Sequence, residues 1–266
     1  MESKPQKGRT ESGMIGSRNY LIARHCFLLG LLLCLPAKAD IFSDFDVEEQ
    51  CVVLLHGLAR TERSMGAIAD ELADAGYRVA NIGYPSREHP IEVLAVDAVG
   101  RGVEQCADAG ELHFVTHSLG GILVRQYVAR YGLERLGRVV MLGPPNQGSE
   151  VVDAYRDLPG FGLWNGPAGA QLGTGADSFP RQLGPVDFKL GIIAGSWTNN
   201  PILSLILPDA DDGKVTVKNT RLEGMSDHLV MPVTHTFMMR NDAVIEQVMH
   251  FLDYGWFDRD ERLRAN

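Results

Sequence analysis

Residues 112–121 read LHFVTHSLGG, and the order of residue types along them decides the fold. Leu112 to Thr116 is a short run of apolar, aromatic and β-branched residues, the composition of a strand. Residues 120–131 predict a helix, closed by Gly132 as its C-terminal cap. Only His117, Ser118 and Leu119 lie between, too few for a loop, so the strand must turn almost directly into the helix. A strand and helix joined so tightly approach each other closely, and Gly120 and Gly121 supply the small residues this needs.

The same alternation extends in both directions. Residues 51–55 (CVVLL) are wholly apolar and stop at His56-Gly57, the pattern of a strand buried on both faces of a parallel sheet. Residues 63–75 place Met65, Ile68, Ala69 and Leu72 on one helical face. A strand at 77–82 follows the stop signal Ala75-Gly76, and a helix at 91–106 follows that. Further strands are expected at 139–142, 190–194 and 229–233. The last helix, 242–252, turns Val244, Ile245, Val248 and Leu252 inward. Strands alternating with helices imply an α/β fold with a mostly parallel sheet covered on both faces. The pattern breaks between Asn146 and Asp187, a stretch rich in Gly and Pro that holds Phe161, Leu163 and Trp164. It reads as an insertion over one end of the sheet: a lid or pocket wall, or irregular surface packing.

Composition excludes several classes. The 266 residues are 45% hydrophobic and 22% charged, ordinary values for a folded chain and too apolar for a disordered one. The formal charge of −9, from 25 Lys and Arg against 34 Asp and Glu, argues against nonspecific nucleic-acid binding. Four Cys are too few for a disulfide-built scaffold. Arg18 and Arg24 precede a ten-residue apolar stretch, CFLLGLLLCL at 26–35, and then Ala37-Lys38-Ala39. This is the form of an export signal cleaved after Ala39, with a core shorter than the ~18–20 residues of a membrane span. Met14 would start a signal of ordinary length, and Leu33 before Cys34 fits a lipoprotein site poorly. Residues 1–39 hold six of the basic and two of the acidic residues, so the exported domain, 40–266, would carry 19 against 32, or −13. Periplasmic or secreted localisation is the expectation.

The turn at Ser118 has the strand-to-helix context of the G-x-S-x-G elbow, which lifts a serine hydroxyl above a strand end, but departs from it in carrying Thr116 in the first glycine position. By itself H-S-L-G-G also fits a strand-to-helix turn with Ser118 as N-terminal cap. A serine nucleophile of acyl transfer needs two backbone N–H groups to hold the oxyanion. The residue after it, Leu119, is one candidate, and Leu58, after the His56-Gly57 turn, is the other.

Taken together, LLHGL at 54–58, THSLGG at 116–121 and GPPNQGS at 143–149 resemble the α/β-hydrolase family, and within it small bacterial triacylglycerol lipases and esterases. With only residues 40–50 before the first strand, the resemblance implies a minimal sheet of about six strands. It also implies the chain order Ser, Asp or Glu, His. His235 lies at the carboxyl end of the last strand, where chemistry gathers in such sheets, and His228 at its start. His235 is therefore the expected base. Asp209, Asp211 and Asp212 cluster earlier, and Asp212-Gly213-Lys214-Val215 resembles the family's D-G-x-V, so Asp212 is the expected acid with Asp211 as the alternative. The acidic cluster matches no EF-hand spacing, and no metal or cofactor is expected. The expected substrate is a small-molecule or lipid ester, with transient contact to a lipid surface. Thioesterase or amidase activity, or a noncatalytic binding protein on the same fold, are the other readings. The apolar run 201–208 and Phe237, Met238 and Met239 are candidates for an acyl pocket or for core packing. In the family's sheet Cys51 and Cys106 lie near the same end, as a disulfide or as two buried thiols.

Overall fold

The computed structural model describes residues 49–198, 204 and 206–259. The expected export signal at 1–39 lies outside them, as do 201–203 and 205 of the apolar run. Six strands, β1 (Gln50–Leu55), β2 (Arg78–Ile82), β3 (Glu111–His117), β4 (Leu136–Leu142), β5 (Lys189–Gly195) and β6 (Asp227–Met231), make one sheet of order β2-β1-β3-β4-β5-β6. All five pairings are parallel.

The continuous apolar runs are explained by burial on both faces. Side chains alternate along a strand, so Cys51, Val53 and Leu55 of β1 enter one core with Ile91, Leu94, Leu119 and Ile122. Val52 and Leu54 enter the other with Met65, Ile68, Leu72, Val244 and Val248. Helices Gly66–Asp74 and Asp242–Tyr254 cover the second face, and the helical stretch through 91–105 and helix Leu119–Tyr131 cover the first.

The strand order positions the site. From β1 the chain moves outward to β2, then crosses back to β3 on the other side of β1. Ligands of open parallel sheets bind outside the carboxyl ends of strands at such a reversal. Leu55 pairs with Thr116, so the chain leaves β1 as His56-Gly57 and β3 as His117-Ser118 at the same level. Gly120 makes this junction feasible, since a Cβ there would lie 2.6 Å from the Leu55 carbonyl oxygen.

Some expected boundaries move. β6 runs over Asp227–Met231 rather than 229–233, because Pro232 has no N–H to continue the ladder. Helix 91–106 is three joined segments, Ile91–Leu94, a π turn at Ala95–Val99, and Gly100–Gln105. The expected helix at 63–75 opens with a 3-10 turn, Glu62–Met65, before Gly66–Asp74. The insertion is not irregular throughout: it forms helices Glu150–Tyr155, Phe161–Ala170 and Phe179–Gln182. Buried Arg125 ties it to helix Leu119–Tyr131, donating to Asn146 O and Oδ1, Pro180 O and Gly184 O at 2.8–3.2 Å.

Cys51 and Cys106 form a disulfide with a Cα–Cα distance of 5.8 Å, joining β1 to the end of the helix before β3. Both residues are fully buried.

Candidate active site

Ser118 sits where β3 becomes helix Leu119–Tyr131, at φ 52° and ψ −117°. Such positive φ is strained for a residue with a Cβ. The turn holds because the Ser118 N–H donates to Leu142 O on β4 at 2.8 Å and Gly121 N–H donates back to Ser118 O at 3.1 Å. Ser118 makes no capping hydrogen bond, so the alternative of a simple N-cap serine is not what this turn does. Thr116, in the first glycine position of the elbow, fits fully buried, its hydroxyl directed at Val140 O.

The loop after β1 lies against this turn. A Cβ on Gly57 would stand 2.7 Å from His117 Nδ1 and 3.2 Å from Ser118 Cβ, so only glycine allows the two segments this close. The loop is held from β2's exit. The His56 ring stacks on Tyr84 at 4.0 Å, its Nδ1–H donates to Gly57 O at 2.9 Å, and its Nε2 accepts the Tyr84 N–H at 3.2 Å. The Tyr84 hydroxyl donates to His56 O at 2.5 Å, and Ser86 Oγ accepts the Ala59 N–H at 3.0 Å. Burial lowers the pKa of His56 and raises that of Tyr84, which keeps both neutral. This clamp presents Leu58 at the turn beside Ser118. Leu119, as first residue of its helix, carries one of the N–H groups that have no carbonyl a turn earlier to satisfy them.

His235 and Asp212 come together from the far side of the sheet. Asp212 Oδ2 accepts from His235 Nδ1 at 2.7 Å, and the His235 N–H donates to Asp212 O at 2.9 Å. The other carboxylate oxygen, Oδ1, accepts the N–H groups of Lys214 at 3.0 Å and Val215 at 2.9 Å. Asp211 is occupied elsewhere: its two oxygens accept from Gly213 N–H and the Ser204 hydroxyl. Of the two neighbouring carboxylates, it is Asp212 that meets His235, while Asp211 is turned to Gly213 and Ser204. His235 lies four residues beyond the end of β6, past Pro232, rather than directly at the strand's carboxyl end.

His117 was not singled out by its position in the chain. It is buried, its Nε2–H donates to His235 O at 3.0 Å, and the two rings tilt together at 4.7 Å. Burial first, then the neighbouring His235 and Arg60, holds it well below the ordinary imidazole range. Its Nδ1 has no hydrogen-bond partner among the described residues. Three other histidines make ordinary contacts. His228 in β6 meets the Thr220 hydroxyl at 2.9 Å, His113 binds Gln50 and the Arg138 N–H, and His250 meets Trp256 O.

Ser118, Leu58 and His235 line one cavity of about 440 Å³. Its apolar wall comes largely from the insertion, through Val151, Val152, Tyr155, Phe161 and Leu172. The insertion is thus a pocket wall. Phe237, Met238 and Met239 do not line this cavity; the two methionines are core residues and Phe237 is exposed. Among the described residues no cluster of three or more His, Cys, Asp or Glu could hold a metal ion.

No protein-family model and no curated protein matches the sequence. Solved structures do match by shape. The mature form of Bacillus licheniformis lipase BlEst2 superposes with a TM-score of 0.58 at 20% identity, over 76% of this chain and 91% of that one. Phospholipase PlaB from Legionella pneumophila gives 0.54 at 19% identity, over 65% of this chain and 45% of that one. A thermophilic esterase from Thermogutta terrifontis gives 0.52 at 14% identity, over 77% and 90%. Together with the strand order, these place the chain in the α/β-hydrolase fold.

Proposed function

We propose that the protein is a serine hydrolase of carboxylic esters. The observation that carries this reading is the Asp212–His235 hydrogen bond of 2.7 Å behind a cavity that His235 lines together with Ser118 on its strained turn. In the proposed mechanism Ser118 Oγ attacks the ester carbonyl while His235 Nε2 takes its proton. Asp212 holds the proton on His235 Nδ1, which leaves Nε2 free to act as base, and stabilises the imidazolium that forms. The Leu58 and Leu119 N–H groups take the oxyanion, each donor of this kind being worth about 10²–10³ in rate. His235 then protonates the leaving alcohol, and a water it activates releases the acyl group from Ser118. A noncatalytic protein on this fold would have no use for a serine and a histidine lining one pocket, the histidine backed by a buried carboxylate, at the cost of backbone strain.

The fold neighbours named as lipases, a phospholipase and an esterase support ester chemistry on this scaffold. The apolar cavity wall supports an acyl group as its occupant. Exposed Leu158, Leu163 and Trp164 on the insertion support transient contact with a lipid surface. The buried Cys51–Cys106 disulfide supports work outside the reducing cytosol, as the export signal proposes. The test is labelling by a fluorophosphonate probe together with turnover of a short-chain ester. Both should vanish in Ser118→Ala, and undiminished labelling of that variant ends the reading.

A further inference from the structure

The cavity beside Ser118 differs in charge from others on the molecule. Its charged lining groups outside the His235–Asp212 pair are Arg60 and Lys214, and no carboxylate lines it. Three other cavities of the described residues each mix signs. Glu111 and Asp187 accompany Arg138 and Lys189 in one, Glu88 accompanies Arg87 and the shared Arg60 in the second, and Asp177 accompanies Arg156 in the third. Acidic residues outnumber basic ones, 34 to 25, so mixed or negative linings are what chance would supply.

The two cations come from separate elements. Arg60 follows the clamped loop after β1, and Lys214 lies between Asp212 and Val215 on the other side of the pocket chemistry. Neither side chain makes an ion pair or hydrogen bond with the described residues, although paired arginines occur elsewhere, as in Arg78–Asp108 and Arg259–Asp227. Their backbones are fixed: the Arg60 N–H donates to Gly57 O, Lys214 N–H to Asp212 Oδ1, and the Ser149 hydroxyl to Lys214 O at 2.7 Å. Arg60's charge also reaches inward to His117, after burial and His235 one of the causes that keep that ring neutral. Two exposed, unpaired cations on fixed backbone border a pocket with an apolar wall, Lys214 at this cavity and Arg60 between it and its neighbour, and such a pair can receive an anion attached to an apolar chain.

We propose that the substrate is an ester carrying an anionic group, a carboxylate or phosphate, which Arg60 and Lys214 receive while the apolar wall takes its hydrocarbon part. This rests on the hydrolase reading above and narrows its substrate class. Attraction from two uncancelled cations raises local concentration of an anionic ligand and is screened by salt.

The experiment compares matched esters. Mono-p-nitrophenyl adipate and p-nitrophenyl hexanoate share a chain length and differ by one terminal carboxylate. 1-Butyrylglycerol 3-phosphate and 1-butyrylglycerol differ by a phosphate on the alcohol side. The anionic member of at least one pair should be favoured in kcat/KM by roughly tenfold at low salt, and the preference should shrink severalfold in 0.5 M NaCl, where the Debye length falls to about 4 Å. Whichever pair responds identifies the anion as carboxylate or phosphate. Arg60→Gln and Lys214→Gln should each lower the ratio, and the double variant should bring it near one. Arg130→Gln, at the far end of helix Leu119–Tyr131, removes one charge about 18 Å along the helix from Ser118 and should leave the ratio alone. Neutral esters favoured in both pairs, or a ratio that ignores both pocket cations, would overturn the proposal. Loss of fluorophosphonate labelling in the unaltered protein would instead strike the hydrolase reading, so the two failures are separable.

Discussion

Asp212→Asn tests the site at the point where its geometry is most constrained. In the native chain Asp212 Oδ1 accepts two backbone N–H groups, from Lys214 and Val215, while Oδ2 faces His235 Nδ1 at 2.7 Å. An asparagine has one oxygen, and an amide nitrogen cannot accept. Keeping the two loop bonds therefore turns the NH₂ toward His235. His235 Nδ1 must then accept, its proton moves to Nε2, and the nitrogen that should deprotonate Ser118 is no longer a base. The alternative orientation leaves two buried N–H groups facing an NH₂, at a cost of about 1–3 kcal/mol each, so the tautomer change wins. Loss of a base through the wrong tautomer costs about 10⁴ in kcat, or about 5 kcal/mol of barrier. The fold should survive, since the loop bonds are retained. The assay is kcat for a short-chain ester together with a thermal melt, with Asp211→Asn as the comparison. Asp211 does not touch His235 and should lose far less activity. An Asp212→Asn enzyme within tenfold of the native rate, or a larger loss in Asp211→Asn, would refute the reasoning.

Three further outcomes follow from the packing. Gly120→Ala places a Cβ about 2.6 Å from Leu55 O, and backbone cannot yield as a side-chain tip can, so a urea melt should show destabilisation of roughly 1–3 kcal/mol. Replacing Cys51 and Cys106 together by Ala opens a loop with a sequence separation of 55, which should cost about 4 kcal/mol in the chain-entropy model, and intact mass of unaltered residues 40–266, which lack Cys26 and Cys34, should show no free thiol before reduction. His113 is held at a pKa of about 4, below its ordinary 6.5, by burial first and then by Arg138. The unfolded chain therefore binds the proton more readily. The contribution is complete above pH 6.5 and is lost as pH falls toward 4, on the order of 3 kcal/mol at most. Urea melts at pH 7 and pH 4.5 should show that fall, and His113→Gln should shrink it, leaving the part that His228 and His117, also held low by burial, contribute.

The sheet was legible because burial on both faces writes itself as unbroken apolar runs. The runs at 51–55 and 112–116 match β1 and the core of β3, and the elbow at Ser118 needed no knowledge of any distant residue. The insertion was not legible in the same way. Its helices are short, the one at Phe161–Ala170 breaks at Gly166 with φ 65° and contains Pro167, and no apolar period survives such an interruption. β6 was placed two residues late because Leu229 to Val233 looks like a strand, while the Pro232 ring ends hydrogen bonding before it. Met238 and Met239 lie close to His235 in the chain, yet both turn into the core, since nearness in sequence says nothing about which side of a loop faces the pocket.

Local chemistry is written in short segments. A glycine where strand meets helix, a serine on the turn, and a histidine and aspartates in the right order can be read one segment at a time. Direction is not local. Asp212 and Asp211 are adjacent and identical in composition, and only the turn that spends Asp211 on Gly213 and Ser204 aims Asp212 at His235. His117 reaching the His235 carbonyl, Tyr84 and Ser86 gripping the loop before Arg60, and an insertion walling the pocket all join residues far apart in the chain. Such pairings are set by the crossing of the chain at β1 and β3, which brings loops of unrelated sequence to one edge of the sheet, and that crossing exists only once the sheet has formed.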